Sequence, residues 1–191
     1  MSNLVPMETA PRIAVLGLGN VLMSDDAVGP WVIQVLLARY EFPQEVSVLD
    51  LGTPGLDLTP YITDCEALIL VDTVKSDGPP GTLRTYRKHE ILKHPPQPRL
   101  SPHDPGVKEA LLIADFGGRG PREVLLVGVV PESTGMGTHL TPAVREAIPR
   151  AVEEVLAELV RLCAAAAPRA APGEPDVWWE KGGPPGGGGL M

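Results

Sequence analysis

The chain is poor in cysteine, has no excess of positive charge, and holds no apolar run long enough to span a bilayer; each lack removes a class of function. Cys65 and Cys163 stand far apart and form no Cys-x-x-Cys pair, which excludes a zinc knuckle and a dithiol redox site. Both cysteines lie in apolar surroundings and are expected to be buried packing residues. A net charge of −8 and a pI near 5.0 argue against nucleic acid or an anionic membrane as partner, since both select basic patches. Residues 1–11 lack a charged n-region and an apolar h-region, so a flexible N-terminus and a cytoplasmic location are expected. Also missing are the His-Glu-x-x-His helix of zinc proteases and the Gly-x-Ser-x-Gly elbow of serine hydrolases.

What is present suffices for one domain, since 191 residues with 43% hydrophobic content can bury a sizeable core. Its centre is the stretch Gly17-Leu18-Gly19-Asn20-Val21-Leu22-Met23-Ser24-Asp25-Asp26-Ala27-Val28-Gly29. An apolar run, Ile13-Ala14-Val15-Leu16, precedes it as a strand, and helical spacing of apolar residues follows over 31–40, in a helix expected to end near Phe42-Pro43. Strand-to-helix loops of this kind lie at the carboxyl ends of parallel strands, where ligands bind. The dinucleotide fingerprint fails because Leu22 stands where a third glycine is needed, and the Gly-Lys-Ser/Thr ending of a phosphate loop is absent. Two adjacent carboxylates would repel a phosphate, so the loop suits a cation, a proton or a peptide bond.

Further along, 46–51 alternates as a strand and 56–64 reads as a short helix despite Pro60. Ala67-Leu68-Ile69-Leu70-Val71 is a continuous apolar run, as expected of a central strand covered on both faces, and it ends in Asp72. Residues 82–86 form an edge strand after dense turn chemistry at 76–81. The charged, proline-rich segment 88–99 reads as an exposed loop in which His89 and His94 are solvated and have no metal-ligand spacing. Ser101-Pro102-His103-Asp104-Pro105 leads into a helix over 106–116. After a strand at 123–130 and a polar loop at 131–139, Thr141 as N-cap and Pro142 open a long helix. Val144, Ile148, Val152, Val155, Leu156, Leu159 and Leu162 make its apolar stripe, with Glu153, Glu154, Glu158 and Arg161 on the wet face. From Ala164 the composition turns to alanine, proline and glycine, which predicts a disordered tail over 164–191, with Trp178-Trp179 the one cluster able to dock. The alternation of strands and helices predicts a three-layer α/β fold: a mainly parallel twisted sheet of about five strands with helices on both faces.

Asp26, Asp72 and His103 each stand on a loop or strand end of the same expected edge, with Asp26 and Asp72 placed at an exposed rim. Two carboxylates and an imidazole can hold a divalent transition metal or share protons as an acid/base pair, and the residues allow both.

GLGNVLMSDDAVG, ILVDTV with the following GPPGTL, SPHD, and VGVVPESTGMGTHLTPAV occur in an order and spacing that resemble the hydrogenase maturation endopeptidases. The resemblance covers the folded part, 12–163. It implies a cytoplasmic protease, expected to be a monomer, that removes a short C-terminal extension from the nickel-iron hydrogenase large-subunit precursor after nickel insertion. It also implies that Asp26, Asp72 and His103 recognise nickel held by the precursor and serve as the catalytic set, with no organic cofactor. Many family members carry Glu where this chain has Asp26, and motif position favours Asp26 over Asp25 as the metal-facing residue. Two rival readings keep the trio: a non-catalytic nickel-sensing or quality-control protein that binds the same precursor, and a small-molecule α/β hydrolase.

Overall fold

The computed structural model describes residues 13–54, 58–93 and 106–181. Five strands form one sheet: β1 (Ile13–Leu18), β3 (Val46–Gly52), β4 (Ala67–Thr73), β5 (Leu83–Arg87) and β6 (Glu123–Val129). Their order is β3-β1-β4-β6-β5, all parallel except β5, which runs antiparallel at the edge beside β6. Strands β1 and β4 are buried along almost their whole length, which is why both read as unbroken apolar runs. Their side chains alternate between two cores. Ile13, Val15, Ile69 and Val71 face α1 (Val28–Arg39) and α5 (Pro142–Arg161). Ala14, Leu16, Leu68 and Leu70 face α2 (Thr59–Ile62), α3 (Lys88–Lys93) and α4 (Val107–Phe116). The three-layer α/β expectation therefore holds.

Several local expectations do not. Helix α1 stops at Arg39 because Tyr40–Glu41 (β2) pairs antiparallel with Ala167–Pro168 (β7). The segment expected to be a loop from Lys88 instead starts as α3, because Ile91 is buried and Lys88 Nζ donates to Asp115 (2.7 Å) and to the Pro121 carbonyl (2.6 Å). His89 is exposed as expected, while His94 lies outside the described residues. Cys65 is buried, but Cys163 is exposed: it takes the left-handed turn (φ 58°) that ends α5 and so points away from the core. Glu158 leaves the wet face and is 5% exposed, because Arg87 and Arg161 close over its carboxylate from β5 and α5.

The largest departure is the tail. Residues 164–181 follow the surface as an ordered strap: Ala164 is buried, β7 pairs with β2, and Arg169 and Gly173 donate backbone N–H bonds to the Arg39 and Ala38 carbonyls. Trp179 is 3% exposed. Residues 1–12 and 182–191 lie outside the described residues.

Candidate functional site

The connection leaving β1 runs through α1 to β3 on one side, whereas the chain leaving β4 goes to β6 and β5 on the other. The carboxyl ends of β1 and β4 therefore flank the switch point of the sheet, where open α/β folds bind ligands. The glycine-rich loop leaves β1 there, and Asp72 and Thr73 end β4 beside it.

The loop folds back tightly. At Gly19 (φ 149°) a Cβ would lie 1.9 Å from the Asp26 carbonyl, and at Gly29 it would lie 2.1 Å from the Leu18 carbonyl, so only glycine permits either approach. This closeness brings the 3-10 turn Ser24–Ala27 over the strand ends.

Its two adjacent aspartates then receive different surroundings. Asp25 is fully buried, and its carboxylate accepts from the backbone N–H of Glu132 (2.9 Å), Ser133 (2.9 Å) and Thr141 (2.7 Å) and from the Thr141 hydroxyl (3.0 Å). It clamps the 131–141 loop. Thr141 does occupy the N-cap position of α5 with Pro142 behind it, but its hydroxyl is turned to Asp25 and makes no cap bond.

Asp26 is 5% exposed, not set on an open rim as expected, because the loop's own fold covers it. Its Oδ2 accepts from the Asn20 N–H (2.9 Å) and its Oδ1 from the Thr73 hydroxyl (3.1 Å). The Thr73 backbone N–H in turn donates to Asp72 Oδ1 (2.6 Å), so one residue holds both carboxylates, 46 positions apart, at one place. Asp72 is half-buried. The structure thus unites Asp26 and Asp72; His103 lies outside the described residues. Among the described residues no group of three or more His, Cys, Asp or Glu side chains placed to hold a metal ion is found.

A cleft of about 350 Å³ has walls that include Gly19, Asn20, Asp50, Thr53, Trp178 and Trp179, and it meets the pair through Asn20, whose N–H bonds Asp26. Asp50 and Thr73 are missed by sequence reasoning. Asp50 is the one charged residue of β3 and stands near its carboxyl end, which is the signal that could have marked it. Desolvation in the cleft raises its carboxyl above the usual range, partly offset by the N–H bond from Gly52.

Comparison with known proteins follows the same lines. Residues 30–158 match the HycI hydrogenase maturation protease family. The chain is 38% identical over 161 residues to the hydrogenase 2 maturation protease of Escherichia coli K12, covering 84% of this chain and 98% of that protein. It is 36% identical over 162 residues to the hydrogenase expression/formation protein HoxM of Azotobacter vinelandii, covering 84% and 78%. Its fold superposes on the hydrogenase maturating endopeptidase HybD of Escherichia coli with a TM-score of 0.76 and 37% identity, over 83% of this chain and 98% of that one.

Proposed function

The chain belongs to the hydrogenase maturation protease family and is a maturation endopeptidase, and from that premise we propose that it removes the C-terminal extension of a nickel-iron hydrogenase large-subunit precursor once nickel has been inserted. The observation that carries this reading is the tie at Thr73, whose hydroxyl and N–H bring Asp26 and Asp72 together at the switch point. Carboxylates and imidazole suit a divalent transition metal, and His103, just ahead of α4, supplies the imidazole. The nickel belongs to the substrate. It docks on Asp26, Asp72 and His103 only when loading is complete, and docking sets the neighbouring peptide bond in place.

Positioning of this kind contributes roughly 7 to 11 kcal/mol at best. Hydrolysis also needs a water activated by one of the carboxylates or by the precursor's metal. Asp25 takes no part in this reading, because its oxygens are already occupied by loop donors. No helix among the described residues is long and apolar enough to cross a membrane, and we take the enzyme to act in the cytoplasm as a monomer.

Incubating the purified protein with nickel-loaded precursor and weighing the product tests the proposal. Wild type shortens the precursor; Asp26→Asn and Asp72→Asn leave it full length, and nickel-free precursor stays uncut. Binding without any loss of mass would favour a quality-control role instead, and full cleavage by both variants would remove the proposed site.

A further inference from the structure

The family match ends at residue 158, and the strap that follows reaches the cleft from outside that span. Its course is fixed at both ends. Near α5, β7 pairs with β2 and the Arg169 side chain donates to the Leu37 carbonyl (3.1 Å). At the far end Glu180 accepts from the Trp31 indole N–H of α1 (3.0 Å) and from Arg145 of α5 (2.6 Å), with His139 Nδ1 3.8 Å away. Arg145 also stacks on the Trp31 ring, 4.8 Å from its centroid.

Between these anchors the two tryptophans diverge. Trp179 is 3% exposed and forms the base; Trp178 meets it edge to face (5.8 Å, 86°) and stays 62% exposed on the cleft wall. A large aromatic with two side-chain torsions, braced at one edge and otherwise uncovered, loses little conformational freedom when a partner packs on it. Across the cleft stand Asn20, whose N–H holds Asp26, and Asp50, Gly52 and Thr53 at the end of β3. β3 is an edge strand, paired with β1 alone among the described strands, so its outer side offers main-chain donors and acceptors to an extended chain.

We infer that the strap over 164–181 forms one wall of the substrate cleft, where the precursor lies extended beside its scissile bond and packs an apolar side chain on Trp178. The inference rests on the proposed function, since it takes the occupant to be the precursor. It makes Trp178 a specificity-determining contact that acts on binding and not on the chemical step.

The test uses the full chain and fluorescently labelled, nickel-loaded precursor, with binding followed by anisotropy and cleavage by product mass. Trp178→Ala should weaken binding and raise KM by about tenfold, the scale of a truncated aromatic anchor, with kcat within about twofold. Trp178→Phe should recover most of the loss. The melting temperature of both should match wild type, because the ring is mostly exposed. Unchanged Kd and KM in Trp178→Ala, a loss confined to kcat, or a loss that tracks a lowered melting temperature would each overturn the inference. A wild type that binds precursor but never cuts it would overturn the protease reading while the binding comparison still judges the strap; a wild type that does neither would overturn both.

Discussion

Two carboxylates each pin a chain segment to the domain, and they do so by different means. Asp25 sits under the 131–141 loop, fully buried, with every bond drawn from that one loop and three of its four donors backbone N–H groups. Glu180 anchors the strap from a position 14% exposed; its nearest partners are the side chains of Trp31 on α1 and Arg145 on α5, with His139 of the 131–141 loop 3.8 Å away. The inner clamp is built into the core of the site, whereas the outer one is a latch laid over a finished domain. A fully buried carboxylate held by backbone donors is a rigid constraint; one held by side chains, one of them an arginine 42% exposed, is a replaceable one.

The sharpest way to break the comparison is Asp25→Asn. Whichever way the amide is placed, its NH2 faces at least one backbone N–H, because Oδ1 serves Thr141 and Oδ2 serves Glu132 and Ser133. A loss of about 3 kcal/mol is expected, the scale of charged hydrogen bonds broken in a buried site, and thermal melts should show a fall of roughly 6 to 12 °C. A melting temperature within a degree or two of wild type would show that the clamp contributes little.

A third carboxylate extends the comparison through pH. Burial alone would raise Glu158, but the hydrogen bonds and charges of Arg161 and Arg87 outweigh it and hold the carboxyl at about 2, below the ordinary 4.5. A depressed folded value means that the stabilisation is fully present above about pH 4.5 and is lost as pH falls towards 2. Melts of wild type and Glu158→Gln should therefore differ most at neutral pH and converge across that window. A gap that stays constant down to pH 2 would assign the difference to packing instead.

Glu180→Ala should unlatch the strap at a smaller expense, about 1 kcal/mol or 2 to 4 °C, because Arg145 and its partner remain partly in water. Limited proteolysis is the more telling readout: new cuts should appear within 169–181 while the sheet stays protected. Cuts confined to the 131–141 loop would mean that Glu180 supports the inner clamp, not the outer one.

The smallest stability change is expected for Asp26→Asn, under about 1 kcal/mol, since the Thr73 hydroxyl can turn and accept from the new amide. Thermal melts alongside the cleavage assay check this. A destabilisation as large as that of Asp25→Asn would mean that Asp26 is also a structural clamp.

Much of this molecule was legible in the chain itself. Apolar runs of strand length at 13–16 and 67–71 specified buried parallel strands, and helical spacing between them specified the crossovers, because periodicity of burial follows directly from backbone geometry. The same reading put Asp26 and Asp72 at one edge of the sheet, since in alternating strand-helix folds the carboxyl ends of all parallel strands point one way. Three matters were decided by tertiary structure alone. Asp25 and Asp26 are chemically identical neighbours, and their roles diverge because Asp25's donors come from positions 107 to 116 residues downstream while Asp26's hydroxyl partner lies 47 away. Glu158 has the spacing of a wet helix face, and it is buried by an arginine 71 residues upstream. The alanine-, proline- and glycine-rich segment holds too little apolar surface to order itself, and composition measures only that; its order comes from pairing with β2, one buried indole and a carboxylate whose partner Trp31 lies 149 residues away. Local pattern records what a segment can bury on its own, and only the folded domain supplies the partners that complete it.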